Sequence, residues 1–180
     1  ALNYENYEYY DFQKVDLELT HKVEREGIKA LLDDDSQYGD YAFSVFSKIV
    51  NYCAYLIPEV TERLIDIDDA IRMGFNWYKG PFEMLQEYGL KKYIDRVEKI
   101  PVVPDFLLQT LKSQDNPYSS KQSSYFHSSK GLTKIERGKD TYRLGDLQKI
   151  SKPLIHNQAA SVWMLEDHSF NQNILCVEFH

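Results

Sequence analysis

A mainly α-helical fold with a small β-rich C-terminal extension is what the sequence predicts, from three observations. Between Asp40 and Lys112 apolar residues recur at three- and four-residue steps, the spacing of one face of a helix. Gly and Pro punctuate that stretch where helices stop and start, as at Gly80-Pro81 and Gly89. Past Ser113 the chain turns serine-rich, and short aromatic and β-branched runs then replace the helical spacing. The 180 residues are 43% hydrophobic, enough to build a core at this length.

Residues 15–32 read as a first helix, with Leu17, Val23, Ile28, Leu31 and Leu32 as its apolar residues and Gly27 as a weak point. Asp40 is placed to cap a stronger helix through Tyr55, on which Phe43, Phe46, Val50 and Cys53 form a stripe. Only Lys48 is charged between Tyr41 and Pro58, so this helix is expected to be covered on most sides. Residues 59–74 read as further helix, with Ile67, Ala70, Ile71 and Gly74 in one stripe; Gly74 either admits a neighbouring backbone or marks the helix end. Residues 75–80 are a loop, and Pro81 opens a short helix carrying Phe82, Met84, Leu85 and Tyr88. Residues 90–99 and 105–112 are two more helices, separated by Pro101 and Pro104. Ser124 to His127 and Thr141 to Leu144 are short strand candidates, with turns near Lys130-Gly131 and Arg137-Gly138. Residues 146–151 supply a helical turn or two, and 161–166 and 174–179 pair as strands across a polar loop, 167–173.

Composition and motifs exclude several functions. The net charge of −7 argues against a nucleic-acid-binding surface, which needs clustered Lys and Arg in excess. No apolar run approaches the roughly 20 residues that span a bilayer. Cys53 and Cys176 lie far apart and form no disulfide framework, which fits a reducing, cytoplasmic setting. The glycines never form G-x-G-x-x-G, and G-x-x-x-x-G-K-[ST], H-E-x-x-H, G-x-S-x-G and C-x-x-C are all absent. His21, His127, His156, His168 and His180 never fall three or four apart, so they make no local metal pair. Asp33-Asp34-Asp35 begins like a calcium loop, but Tyr38 stands where that loop needs Gly and Ser44 where it needs a bidentate Glu. Tyr4, Tyr7, Tyr9 and Tyr10 crowd the N-terminus, either as a partner-binding arm or as a partly disordered tail.

The informative stretch is Ile67-Asp68-Asp69-Ala70-Ile71-Arg72-Met73-Gly74-Phe75-Asn76-Trp77-Tyr78-Lys79-Gly80-Pro81-Phe82-Glu83-Met84. It resembles the hallmark of the 3-hydroxyacyl-CoA dehydrogenase C-terminal domain, I-D-x-A-M-x-x-G-F-x-W-x-x-G-P-F-E, with Ile71 in place of the usual Met. Tyr88-Gly89-Leu90 resembles the family's next turn. The tail, Val162 to Asp167 and then Ile174 to His180, looks like the opening of an enoyl-CoA hydratase domain. Bacterial fusion proteins of fatty-acid β-oxidation place such a hydratase after a second copy of the helical domain, and this chain resembles that copy. The resemblance implies a helical bundle over residues 39–113, preceded by a Tyr-rich tail and leading helix (1–38). A linker with short strands (114–160) and the start of a hydratase domain (161–180) would follow.

The same resemblance implies that the active site lies elsewhere in a parent protein. Its NAD would be bound by an N-terminal domain that also supplies a catalytic His-Glu pair, and no histidine here matches that position. Ala1 replaces an initiator Met and the strand pattern still runs at His180, so a fragment is expected. Its implied partners are the NAD-binding and hydratase domains, acyl-CoA bound by the parent, and a second copy in a homodimer. Asp68, Gly74, Phe75, Trp77, Gly80, Pro81, Phe82 and Glu83 are the family-motif positions, with no catalytic, cofactor or metal residue among them. Each has a structural reading. Asp66, Asp68 and Asp69 suit a solvated helix face, with Asp68 capping locally or pairing with Arg72 four residues on. Phe75 and Trp77 suit a core or an interface. Pro81 suits the first helical position and Glu83 a positive helix end, the alternative being the border of an acyl-CoA cleft. The rival reading of the whole chain is a stand-alone helical interaction module with a Tyr-rich arm.

Overall fold

A computed structural model describes residues 3, 5–9, 17–97, 103–119, 124–136, 143–145, 148, 151–167 and 172–179. The chain forms two compact units, Ala1–Ser47 and Lys48–His180.

In the first unit α1 (Glu18–Glu26) and α2 (Ile28–Leu32) replace the single expected helix. The break falls at Gly27, whose φ of 77° is one that L side chains rarely adopt. α3 (Gln37–Tyr55), whose residues from Lys48 on belong to the second unit, begins ahead of Asp40, the expected cap. Just before it, Asp34 accepts the Ser36 N–H at 3.0 Å, and the Ser36 hydroxyl oxygen accepts that of Tyr38 at 3.3 Å. The stripe Phe43, Phe46, Val50 and Cys53 is buried as its spacing predicts. The opposite face is open, however: Tyr41, Val45, Tyr52 and Tyr55 are exposed, so tyrosine covers a wetted face here.

The second unit holds α4 (Leu64–Phe75), α5 (Pro81–Tyr88), α6 (Leu90–Val97) and α7 (Asp105–Ser113). Helix 59–74 is shortened at its start, where 59–63 are turns and an isolated bridge from Arg63 to His127. Its buried face is also rotated from the expected stripe. Leu64, Ile65, Ile67 and Asp68 are buried, whereas Ala70 and Gly74 are exposed. α5 buries Phe82, Leu85 and Tyr88; α6 buries Leu90, Tyr93, Ile94 and Val97; α7 buries Phe106 and Leu107. An aromatic run ties the layers together. The Phe82 and Phe106 ring centroids are 5.9 Å apart in an edge-on pair, and Phe106 meets Phe126 at 5.6 Å.

The strands follow α7 in two antiparallel three-stranded sheets. β1 (Tyr118–Ser119), β2 (Ser124–His127) and β3 (Gly131–Lys134) form one, in the order β1-β2-β3. β4 (Ile155–His156), β5 (Ala160–Asp167) and β6 (Gln172–Phe179) form the other, in the order β4-β5-β6. The β5–β6 hairpin confirms the expected strand pair and extends it into the ends of the predicted loop, pairing Asp167 with Gln172 and Glu166 with Asn173; residues 168–171 lie outside the described residues. Leu144 is helical, contrary to the strand expected at 141–144. Val15, Lys99, Pro101, Thr141, the turn at Arg137-Gly138, Asp146, His168 and His180 lie outside the described residues, as do Tyr4 and Tyr10. Among the described residues about half are helical, and no helix is long and apolar enough to cross a membrane.

Candidate functional site

Asp68 lies on the same side of α4 as Leu64 and Ile65, four and three residues before it, and that side is the buried one. Its side chain is fully buried, which corrects the solvated-face expectation. It pairs with the start of the next helix instead of with Arg72. One carboxyl oxygen, Oδ1, accepts the Phe82 N–H at 2.8 Å; the other, Oδ2, accepts the Glu83 N–H at 3.1 Å and the Tyr118 hydroxyl at 2.6 Å. A helix start exposes N–H groups without intrahelical partners, and a carboxylate from a neighbouring helix satisfies two of them here. Burial pushes the Asp68 carboxyl up to about 7, against the pull of the Tyr118 hydroxyl and the Phe82 N–H. The same burial, with the Asp68 charge beside it, raises Tyr118 well above its ordinary range.

Gly80 is required by this arrangement. A Cβ there would stand 2.4 Å from Asp68 Cβ, Cγ and Oδ1. Pro81 occupies the first helical position, as the sequence predicts, and Glu83 closes the turn by accepting the Gly80 N–H at 2.9 Å. Glu83 is also the centre of a charge network. Arg72 Nη1 bonds both its carboxylate oxygens at 3.1 and 3.0 Å, and Arg143 Nη2 reaches it at 3.2 Å while Nη1 holds Asp69 at 2.6 Å. These side chains are a third exposed or less, so the pairs are screened weakly.

Beside this network lies an open cleft of about 640 Å³, lined in part by Tyr78, Lys79, Glu83, Tyr118, Arg143 and Gln148. Gly74 contributes no close approach, since nothing lies within 4 Å of where its Cβ would stand; the left-handed residue ending α4 is Asn76, at φ 53°. Phe75 and Trp77 are exposed by 69% and 39%, so neither is core; Met73 and Tyr78, on either side of them in the sequence, are exposed as well. The motif thus divides. Asp68, Gly80, Pro81, Phe82 and Glu83 come together at one helix junction, while Gly74, Phe75 and Trp77 do not join it.

Sequence reasoning missed Tyr118 and Arg143, which reach the junction from 50 and 60 residues beyond Asp68 and Glu83. Nothing local marks them. These residues do not fit a dinucleotide. The glycine fingerprint is absent, both described sheets are antiparallel, and the α5 N-terminus that would face a pyrophosphate already holds the Asp68 carboxyl.

Comparison with curated proteins finds several to which this chain is similar. A Bacillus subtilis protein named as a 3-hydroxyacyl-CoA dehydrogenase is 27% identical over 156 residues, 85% of this chain. The chain is similar to part of the 3-hydroxyacyl-CoA dehydrogenases. Proteins of Rickettsia felis and Rickettsia prowazekii, named as fatty acid oxidation complex trifunctional enzymes, are 36% and 31% identical over 85 residues, 47% of the chain. The family resemblance read from residues 67–84 is borne out. The chain spans only 19% of the B. subtilis relative and 11% of each Rickettsia one. No family model matches the chain, and no solved structure matches it.

Proposed function

We propose that this chain is the second C-terminal helical domain of a longer 3-hydroxyacyl-CoA dehydrogenase of fatty-acid β-oxidation, and that it serves packing and assembly. In this reading the parent oxidises 3-hydroxyacyl-CoA with NAD bound by a preceding domain. The β5–β6 hairpin opens an enoyl-CoA hydratase domain, residues 39–113 form the bundle of the family's C-terminal domain, and the setting is cytoplasmic. The observation that carries the reading is the α4–α5 junction. A buried Asp68 seats the Gly80-Pro81-Phe82-Glu83 turn, in a chain similar to relatives named for this activity. The exposed Met73, Phe75, Trp77 and Tyr78 supply an apolar surface for a neighbouring domain or a second copy.

The test uses the longer reading frame. The full-length protein is expected to oxidise (3S)-3-hydroxybutyryl-CoA with NAD, followed by NADH absorbance. Phe75→Glu with Trp77→Glu is expected to weaken assembly, read by analytical ultracentrifugation, while leaving the melting temperature of the isolated chain unchanged. A reading frame with no NAD-binding portion, or a full-length protein without turnover, sinks the proposal.

A further inference from the structure

α3 carries a second pattern on the side away from its buried stripe. Tyr38, Tyr41, Val45, Lys48, Tyr52 and Tyr55 follow one another at alternating steps of three and four residues, and all six are exposed. Such alternation, sustained along a helix, is the seam of a coiled coil. The residues beside it, Ala42, Ser44, Ile49 and Asn51, are uncharged and half-buried, so seam and flanks together hold one charge, Lys48. In a chain with 27% charged residues, an open helix face with a single charge marks an interaction surface.

The seam is also its own complement. From either end it begins with two tyrosines. A second copy laid antiparallel sets Tyr38 against the second copy's Tyr55, Tyr41 against its Tyr52, and Val45 against its Lys48.

We propose that the tyrosine seam of α3 docks a second copy of this chain, antiparallel, about a two-fold axis between Val45 and Lys48. This pairing rests on α3 alone and is independent of the role proposed for the parent protein.

Symmetry and charge fix the occupant and its direction. A two-fold axis joins the same patch of both copies, so it needs a self-complementary surface, which the order of the six residues supplies. Parallel helices would stack Lys48 on the second copy's Lys48. Antiparallel ones lay its aliphatic stem along Val45 and let the ammonium reach water at the seam's edge. The other four layers are tyrosine on tyrosine, where rings make apolar contact and hydroxyls stay wet. The extent suits a weak, reversible dimer. The four tyrosines are half to three-quarters exposed, which at roughly 150–250 Å² per side chain leaves about 350–600 Å² on each copy. Doubled, that brackets the roughly 1,000 Å² at which a specific interface begins.

The experiment is sedimentation velocity of the full chain from about 1 to 500 μM, where a monomer–dimer equilibrium with a micromolar midpoint is expected. Tyr41→Glu and Tyr52→Glu each put a carboxylate into two symmetric layers and should weaken pairing at least about tenfold. Neither should change the melting temperature of the dilute monomer, in which both side chains are exposed. Phe75→Glu with Trp77→Glu should leave pairing intact, which separates this surface from the one proposed at Phe75 and Trp77. Direction is read by oxidising a mixture of Tyr41→Cys and a size-tagged Tyr52→Cys, both in a Cys176→Ser background. The mixture should cross-link, and neither variant alone should, because antiparallel pairing holds the two copies of position 41 about 16 Å apart along the axis. A chain that stays monomeric throughout, pairing that survives both glutamates, or a mixture that cross-links no better than its components overturns the proposal.

Discussion

At the residue scale, Gly80 and Asp68 are one fitted pair. Asp68 is fully buried and bonded at both oxygens, so it has no room to retreat from a Cβ arriving at 2.4 Å. Gly80→Ala therefore overpacks the junction, and a loss of about 1–3 kcal/mol is expected in urea unfolding. An unchanged midpoint would mean that the α5 start can shift without cost. Asp68→Ala removes the acceptor of the Phe82 and Glu83 N–H groups and of the Tyr118 hydroxyl together, and should cost at least as much. The pH dependence has a definite sign. The folded carboxyl is raised from its ordinary 3.8 to about 7, so the stability that Asp68 adds is complete below the first value and lost as pH climbs to the second. Wild-type stability minus that of Asp68→Asn should therefore fall between about pH 4 and 7, no more steeply than about 1.4 kcal/mol per unit, and stay level above. A difference that rises over this range would show a carboxyl pulled down by its donors instead.

At the element scale, the α4–α5 hairpin is closed by charges from three segments. Arg143 is 19% exposed and serves two carboxylates that are each 23% exposed, so Arg143→Ala leaves two half-buried charges short of a partner. About 1–3 kcal/mol of stability should go with it. Lys91→Ala, at a 71% exposed pair with Asp95, should cost under about 1 kcal/mol. Equal losses in the two variants, measured by urea unfolding in the same buffer, would show that the network at Glu83 is as screened as a surface pair. This contrast also explains what was legible in the sequence. The α3 stripe, the Pro81 start, the Gly89 stop and the β5–β6 pair each rest on local spacing, and each appears where that spacing puts it. The junction does not rest on local spacing. Three adjacent aspartate-rich positions look alike along the chain, and only the burial of Leu64 and Ile65 sets Asp68 apart from Asp66 and Asp69. That register was the available signal: counted from Leu64 instead of Ile67, the apolar face includes Asp68. Tyr118 and Arg143 arrive through long-range packing, which no spacing rule encodes. Gly27 splits the first helix because its positive φ overrides a continuous apolar pattern.

At the scale of the whole molecule, the question is how much of the relatives' chemistry this chain can perform alone. Oxidising a secondary alcohol by hydride transfer needs a nicotinamide held against the substrate carbon and a base placed for the hydroxyl proton. Positioning is worth on the order of 7–11 kcal/mol, and a placed base adds about 10²–10⁴-fold. The candidate site supplies neither. Its carboxylates are engaged by backbone N–H groups, Arg72 and Arg143, and its one raised carboxyl is sealed under Tyr118. His127 is buried, but its Nδ1 accepts the Ser129 N–H at 3.2 Å and it does not line the cleft. The isolated chain is therefore expected to give no NADH signal with (3S)-3-hydroxybutyryl-CoA and NAD, and no heat on titration with NAD. Acyl-CoA titration is the informative companion, because the cleft beside Lys79 and Arg143 can still take up a ligand without turning it over. Micromolar NAD binding would overturn the assignment of the nucleotide site to another domain, whatever acyl-CoA does. Turnover above a blank would go further, since the carboxylates lining the cleft are each engaged by other side chains: Glu83 by Arg72 and Arg143, Glu87 by Lys79, and Glu178 by Gln148 and Trp163.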